Sequence, residues 1–342
     1  MKKKYTTLKD IAKISGYSIT TISRVVNKDK YVKKATQEKI EAIIENFDYK
    51  PLWSARSLRV GKTDLVAVIF KDISNFFTAQ VIVSIQEILR KFKKDIILFN
   101  TNFDKSLEKE FLKIAVSKRV DGIVLASMSV SNTELIKKIL NENKIPIVLI
   151  DNNIKEISTD KVFHDNFQGA KILTEHLISH GHKKIAIITT SLEESSAIER
   201  LEGYKYVLKK NNLELKDNFI VSIEFNEEKC FNKIQNRIKK LFSFSDKPDA
   251  LFIASTNLAI STISYLNGNG YAIPNDVAVV AFDDYDFVNI MNPPLTTLKS
   301  VNKEMGVIAA KLLLKRIRNG SEKNFDVITI NSELVRRKSC GC

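Results

Sequence analysis

The chain has 342 residues, more than one domain usually takes, so its length predicts two or three folded units. Hydrophobic residues make up 44% of it and charged residues 27%, which is typical of a globular protein with a large core. The net charge of +14 is uneven, because residues 1–62 carry fifteen Lys and Arg against six Asp and Glu. This distribution indicates a polyanion-binding module attached to a nearly balanced body, and a solvated basic surface is the alternative.

The composition gives little support for a membrane protein or a metal-binding protein. No segment approaches about 20 uninterrupted apolar residues, so neither a signal peptide nor a membrane span is predicted, and a cytoplasmic location is expected. Cys230, Cys340 and Cys342 form no C-x-x-C pair, no histidine cluster accompanies them, and they are interpreted as free thiols. No metal site and no cofactor are therefore expected.

Residues 7–26 predict two short helices joined by a tight turn. Thr7 and Asp10 form a capping box that begins the first helix, and Gly16 ends it where a positive φ is needed. Ser18 then caps a second helix. A small residue at the crossing, a Gly turn and a branched aliphatic in the second helix are typical of a helix-turn-helix, with an ordinary helical hairpin as the alternative.

The second helix presents a polar outer face that suits the major groove of DNA. This face carries Ile19, Thr20, Ser23, Arg24 and Asn27. A third helix is predicted from Thr36, with an apolar stripe that completes a small core. Residues 52–59 after Pro51 are compatible with a helix of about two turns, which is marginal alone in water. That basic segment is interpreted as ordering on DNA, or else as a flexible linker.

Beyond Lys62 the chain alternates short apolar runs with amphipathic stretches, which predicts parallel sheets covered on both faces. About ten strands exceed one small sheet, so two doubly wound subdomains are expected. Ligands of such folds bind at the carboxyl ends of strands. The residues at those positions are the 71–77 loop, Asp151, Ser255, Asn257 and Asp283, although each one alone is more often a helix cap than a ligand contact.

Residues 7–12, 16–18 and 21–27 resemble the headpiece of the lactose-repressor (LacI) family, and residues 49–51 and 55–58 resemble its hinge helix. The resemblance implies that Ile19, Thr20 and Arg24 face base edges. It implies that Leu58 wedges into the minor groove and that Ser57, also in the hinge, contacts DNA. The residues it assigns to phosphates are Thr7, Ser18, Thr21, Ser23, Asn27 and Tyr49. Leu52 departs from the Asn common after the hinge proline, which puts one phosphate contact in doubt.

The body resembles the same family. Residues 72–77 resemble its first effector loop, and Arg200 and Asp283 fall on its ligand-binding arginine and aspartate. Residues 255–257 depart from the Asn-Asp pair common there, so the identity of the ligand cannot be copied from another member. The effector-binding residues implied are Ser74, Phe76, Phe77, Asp151, Arg200, Ser255, Asn257 and Asp283.

The fold class expected is an all-α helix-turn-helix headpiece plus an α/β body of two doubly wound parallel-sheet subdomains of periplasmic-binding-protein type. The headpiece is assigned to residues 1–48 and the hinge to 49–62. The body is divided into an N-subdomain, 63–163 with 293–322, and a C-subdomain, 164–292 with 323–342.

The resemblance implies a homodimeric, sequence-specific transcriptional regulator, a repressor of carbohydrate-use genes that binds a near-palindromic operator under control of a sugar or sugar acid. Control by a protein partner or a phosphorylated co-effector is the main alternative. A sugar carrier is disfavoured by the basic headpiece. An enzyme is not expected, because no activated nucleophile or metal cluster is recognisable in the sequence. No apolar heptads follow Arg337, which favours a dimer over a helix-tethered tetramer.

Overall fold

The computed structural model describes residues 7–26, 31–47, 63–127, 130–223, 230–320 and 324–342. The chain separates into two compact units, Met1–Asp64 and Leu65–Cys342. Among the described residues, no helix is both long and apolar enough to cross a bilayer.

The first unit contains α1 (Leu8–Ser15), α2 (Ile19–Val26) and α3 (Lys34–Asn46). The predicted capping box is present: the Thr7 hydroxyl accepts from the Asp10 amide at 3.3 Å, and the Asp10 carboxylate accepts from the Thr7 amide at 2.8 Å. Gly16 ends α1 with φ +73°, and its amide donates to the Ala12 carbonyl. The turn between α1 and α2 therefore has the tight geometry that the sequence predicts.

Four branched aliphatic side chains form the centre of this unit. Ile11 lies on α1, Ile22 and Val25 on α2 and Ile40 on α3, and all are buried. The α3 helix begins two residues before the predicted Thr36. Because so small a core covers only one side of each helix, the opposite side of α2 is left to solvent.

The second unit contains two six-stranded sheets. The first has the order β11-β5-β4-β3-β1-β2, with all of its strands parallel. Its strands are β1 (Leu65–Phe70), β2 (Asp95–Asn100), β3 (Gly122–Leu125), β4 (Ile147–Ile150), β5 (Asp160–His164) and β11 (Val327–Ile330).

The second sheet has the order β12-β10-β9-β8-β6-β7 and is parallel except for the antiparallel pair of β10 with β12. Its strands are β6 (Ile185–Thr189), β7 (Ile220–Ser222), β8 (Ala250–Ile253), β9 (Ala278–Ala281), β10 (Thr296–Leu298) and β12 (Leu334–Val335).

Helices cover both faces of each sheet, so that each sheet has two hydrophobic cores. On the first sheet α4 and α11 pack on one face and α5 and α6 on the other, while on the second α7 and α8 oppose α9 and α10. Their bounds are α4 (Phe76–Lys91), α5 (Lys105–Ser117), α6 (Thr133–Asn141), α7 (Asn166–Ser179), α8 (Ser195–Lys210), α9 (Cys230–Ser243), α10 (Thr256–Gly268) and α11 (Asn302–Asn319).

A glycine sets the closest helix contact in each half. Gly203 of α8 lies against the Phe167 carbonyl of α7, and Gly306 of α11 lies against the Val81 carbonyl of α4. A Cβ at either position would collide with that carbonyl, so only glycine allows the two backbones to approach so closely.

Two strands pair with the opposite sheet from the one expected. Within 293–322, predicted for the N-subdomain, α11 packs on the first sheet as expected, but β10 pairs with β9 in the second sheet. Within 323–342, predicted for the C-subdomain, β12 joins the second sheet as expected, but β11 pairs with β5 in the first sheet. Strands of three or four residues carry no periodicity that identifies their partner, which is why the sequence misplaced them. The chain therefore passes between the sheets three times, after β5, β10 and β11.

A buried ion pair ties α11 to the edge of the first sheet. The Arg316 guanidinium donates to both carboxylate oxygens of Asp160 at 2.7 Å, and both side chains are almost fully buried. Asp160 also accepts from the Asp326 amide at 2.8 Å, just before β11. One carboxylate therefore links α11, β5 and β11.

We expect Asp160→Ala to lower the free energy of unfolding by roughly 3–5 kcal/mol, because it leaves the Arg316 charge buried without its counter-ion. Urea unfolding of the full chain measures this. Lys315→Ala is the matched control, since its pair with Asp326 is half exposed and should contribute no more than about 1 kcal/mol. Equal losses in the two variants would contradict the assignment.

Candidate functional site

The outer face of α2 holds most of the described residues predicted to contact DNA. Ser18, Ile19, Thr20 and Arg24 are exposed, while Thr21 and Ser23 are half-buried. The Ile19 side chain is 44% exposed on a helix whose opposite side is core. An apolar tip, hydroxyls and one guanidinium are thus presented together on one helix face, as base-edge readout requires.

Hydrogen bonds fix the start of α2. The Ser18 hydroxyl accepts from the Thr21 amide at 3.1 Å and lies 2.8 Å from the Thr21 hydroxyl. The Thr7 hydroxyl donates to Asp10 at 2.7 Å, so its proton is already used within the capping box. Asn27, Tyr49, Ser57 and Leu58 lie outside the described residues, as does the predicted hinge at 49–62.

A cleft lies between the two sheets, where strands β1, β4, β6, β8 and β9 end. Its cavity volume is about 60 Å³. Five of the eight predicted effector residues line it: Phe77, Asp151, Arg200, Ser255 and Asp283. The other lining residues are Lys71, Asp72, Asn75, Thr78, Phe103, Thr190, Glu194 and Ser196.

The remaining predicted effector residues do not line the cavity. The Ser74 hydroxyl donates to Asp72 at 2.6 Å within its own loop. The Phe76 ring packs against Tyr285 and Phe287 of the second sheet's side, with centroid distances of 5.7 and 4.9 Å. Phe76 therefore joins the two subdomains at the rim of the cleft. The Asn257 side chain lies outside the described part of α10.

Lys71 spans the cleft. Its ammonium group lies 3.3 Å from Asp151, which follows β4 of the first sheet, and 2.5 Å from Glu194, which precedes α8 on the second. Burial by itself lowers the pKa of Lys71, but the Glu194 and Asp151 carboxylates outweigh it and raise the pKa above its ordinary value. Lys71 is thus held as a cation between carboxylates from both halves.

Arg200 is fixed from two sides. Its Nε donates to the Asn166 side chain at 2.8 Å, it also donates to the Ala254 carbonyl, and its guanidinium lies 3.7 Å from the Phe282 ring centroid. Burial and the charge of Arg200 lower the pKa of the neighbouring His164 to about 3, so that ring stays neutral. Arg200 is therefore held in place and keeps donor groups for the cleft.

The two consecutive acids after β9 have different environments. Asp284 pairs with Arg337 at 2.9 Å and accepts from the Thr297 hydroxyl at 2.8 Å, so it links β10 and the C-terminal segment. Asp283 lines the cleft, although its side chain is only 8% exposed. Burial and the Asp283 carboxylate raise the pKa of the adjacent Tyr285. Asp283 is the member of the pair that lines the cleft.

The lining carries four carboxylates, on Asp72, Asp151, Glu194 and Asp283, against two cations, on Lys71 and Arg200. Two rings, Phe77 and Phe103, supply apolar surface. Acceptor-only carboxylates beside aromatic rings suit a ligand that is rich in hydrogen-bond donors and has one apolar face.

Sequence reasoning left several lining residues out of the effector set. Lys71 lies in the 71–77 loop that the strand-end rule indicates, although it is absent from the predicted effector-binding set, and Thr190 directly follows β6, so the same rule could have found it. Glu194 and Ser196 lie at the start of α8, and nothing in their sequence context marks them as cleft residues.

Comparisons with known proteins agree with both units. Residues 7–51 match the model of bacterial regulatory proteins of the lacI family, and residues 174–340 match that of the periplasmic binding protein-like domain. The fold resembles the Lac repressor dimer bound to operator and the anti-inducer ONPF, with TM-score 0.83, 22% identity and coverage of 98% of this chain and 99% of that one. It also resembles the transcriptional regulator CelR–cellobiose complex, with TM-score 0.73, 24% identity and the same coverage.

Curated relatives extend over nearly the whole chain. The HTH-type transcriptional repressor PurR of Histophilus somni (strain 129Pt) is 32% identical over 336 residues, which cover 97% of this chain and 98% of the relative. The probable HTH-type transcriptional regulator EndR of Paenibacillus polymyxa is 32% identical over 344 residues, with 98% of each chain covered. The chain therefore belongs to the lacI family of bacterial regulatory proteins, and it is a DNA-binding transcriptional repressor with a helix-turn-helix unit and two parallel-sheet α/β subdomains.

Proposed function

We propose that this repressor controls carbohydrate-use genes and that its effector is a neutral sugar bound in the cleft between the two sheets. The observation that carries the proposal is the lining itself, in which buried carboxylates and one fixed guanidinium stand beside two phenyl rings. Each ionised carboxylate accepts two hydroxyl protons, and a phenyl ring packs on the C–H face of a pyranose.

The charge balance favours a neutral effector over a sugar acid or sugar phosphate. Lys71 is already paired with Asp151 and Glu194, which leaves Arg200 as the other cation of the lining. An anionic ligand would enter a cavity that carries more carboxylates than cations, where like charges repel more strongly than in water. The sequence predicts a sugar or a sugar acid as effector, and the charge balance of the lining favours a neutral sugar. Sugar acids and sugar phosphates are therefore included in the test as competing ligands.

Effector binding requires the two halves to separate. Ligand sites typically measure roughly 300–1,000 Å³, whereas this cavity measures about 60 Å³. The Lys71–Glu194 ion pair and the Phe76 ring contacts join the halves across the cleft. A sugar that breaks or replaces these contacts shifts the balance between closed and open arrangements, and effector and DNA then bias one equilibrium reciprocally.

On the DNA side we propose a homodimer that places two α2 helices on two half-sites of a near-palindromic operator. Ile19, Thr20 and Arg24 contact base edges, and Ser18, Thr21 and Ser23 contact phosphates. The exposure of Ile19, Thr20 and Arg24 on one helix face supports these roles. The solved Lac repressor dimer bound to operator, which has a similar fold, shows such a dimer on DNA.

The effector is tested by a thermal-unfolding screen of the full chain against neutral mono- and disaccharides, sugar acids, sugar phosphates and nucleobases. A neutral sugar at about 100 times its dissociation constant should add about 2.7 kcal/mol of stability. Asp283→Ala should abolish that shift because it removes a cleft acceptor, whereas Asp286→Ala, an exposed acid three residues later, should keep it. A shift with acids alone, or with none of the panel, would overturn the sugar assignment.

Lys71→Met tests the ion pairs that close the cleft. At pH 7 we expect a loss of roughly 3 kcal/mol of unfolding free energy, because Asp151 and Glu194 lose their shared counter-ion. The raised pKa of Lys71 means that its stabilisation is present throughout the range below pH 10. The loss should stay constant from pH 7 to pH 10 and shrink as the pH rises further, because deprotonation removes the charge of Lys71.

The matched control for that experiment is Lys105→Met, whose pair with Glu193 is well exposed and should contribute about 1 kcal/mol or less at any pH. A Lys71→Met loss no larger than that of Lys105→Met would show that the two carboxylates do not depend on Lys71.

Arg24→Ala should weaken binding to a specific duplex, recovered by selection from random DNA, by about 1–3 kcal/mol, as expected for a base-reading arginine. Fluorescence anisotropy against specific and random duplexes measures it. Lys13→Ala removes one charge from α1 and should weaken both duplexes by a similar factor. An equal loss on the two duplexes for Arg24→Ala would assign Arg24 to phosphate contact instead.

A further inference from the structure

The C-terminus of the chain lies against two histidines of α7. The His176 Nε2 atom is 3.2 Å from the Cys340 sulfur and 3.1 Å from the Cys342 sulfur. The ring centroids of His176 and His180 are 4.5 Å apart. The expectation that no histidine cluster accompanies these cysteines is therefore wrong. The sequence could not reveal the cluster, because 164 residues separate His176 from Cys340.

The two sulfurs are joined as a disulfide in the structure, rather than being separate free thiols as expected. A thiol or phosphine reductant supplies the two electrons that break this bond, and two protons from solvent complete two thiols. The sulfurs can then part to about 3.7 Å, the edge of a tetrahedron around zinc with Zn–S distances of about 2.3 Å. The reduced pair supplies two soft ligands beside two imidazoles.

We propose that the reduced chain binds one Zn²⁺ ion, or another soft divalent metal, through His176, His180, Cys340 and Cys342. The ligand atoms of His176, His180 and Cys342 all lie within 4.8 Å of one another. His176 and His180 are four residues apart, so they share one face of α7. Two thiolates and two imidazoles are the ligand set of tetrahedral structural zinc sites.

Hydrogen bonds around the cluster orient two of the four ligands. The His180 Nδ1 atom is 2.9 Å from the His176 carbonyl. A carbonyl can only accept, so Nδ1 carries the proton and Nε2 keeps its lone pair for a metal. Cys340 is fully buried, and the neighbouring Ser339 hydroxyl accepts from the Thr296 amide and donates to the Val279 carbonyl.

Exposure gives the metal a route into the site. His176 and Cys340 are buried, whereas His180 and Cys342 are exposed. Ion binding releases the two thiol protons to solvent and fastens the end of the chain to α7, which should stabilise the second subdomain. A disulfide that only fastens the C-terminus, with no metal, is the competing interpretation.

The test uses the full chain, stripped of metal and held with a phosphine reductant. Titration with Co²⁺ should give sulfur-to-cobalt charge-transfer absorption that saturates at one ion per chain, and competition against a chromophoric chelator should give the zinc affinity. Cys342→Ser and His180→Gln should each weaken zinc binding by at least about tenfold. The oxidised chain should not bind.

Matched controls come from the chain itself. Cys230→Ser removes the remaining cysteine, and His182→Gln removes a histidine that contacts Asp249 instead. Both should bind zinc as the parent does. Absence of the charge-transfer band, or equal losses in the ligand and control variants, would overturn the proposal and leave the disulfide as the only chemistry of the cluster.

Discussion

The ion pairs of Lys71 are the constraint on which the arrangement of the two sheets depends. A single ammonium group from the end of β1 lies between Asp151 of the first sheet and Glu194 of the second. Removing any one member leaves charge in a poorly solvated cleft, which costs far more than a surface pair contributes. The two sheets are therefore held together across the cleft by these ion pairs, and a change in the pairs changes the position of one sheet relative to the other.

The same cleft lies beside the segments that connect the sheets. Arg200 and His164, which ends β5, both pack on the Phe282 ring, and the His164 ring is 2.6 Å from the Ser332 hydroxyl in the passage after β11. Lys299 in the passage after β10 accepts from that hydroxyl through its carbonyl. Three separate crossings thus meet around one neutral histidine. Arg200 is linked to all three crossings through Phe282, His164 and Ser332, a contiguous chain of contacts of the kind that can carry coupling between distant parts of a fold.

The helix-turn-helix unit is held together by packing and helix capping. Its centre is only four buried aliphatic residues, so one face of α2 remains available while the other is fixed by packing. The capping box at Thr7, the left-handed Gly16 and the Ser18 hydroxyl set where each helix begins and ends. The Arg24 guanidinium can then be placed by a rigid helix, even though the unit is small.

The sequence by itself determined the local structure: the capping box, the Gly16 turn, the strand and helix alternation, and strand-end positions such as Asp151 and Asp283. These depend on residues near one another in the chain, where periodicity and capping chemistry act. Tertiary structure alone decided the sheet that β10 and β11 join, the Lys71–Glu194 pair and the meeting of His176 with Cys340. Each of these joins residues far apart in sequence, and a short strand or a single charge carries no local signal of its distant partner.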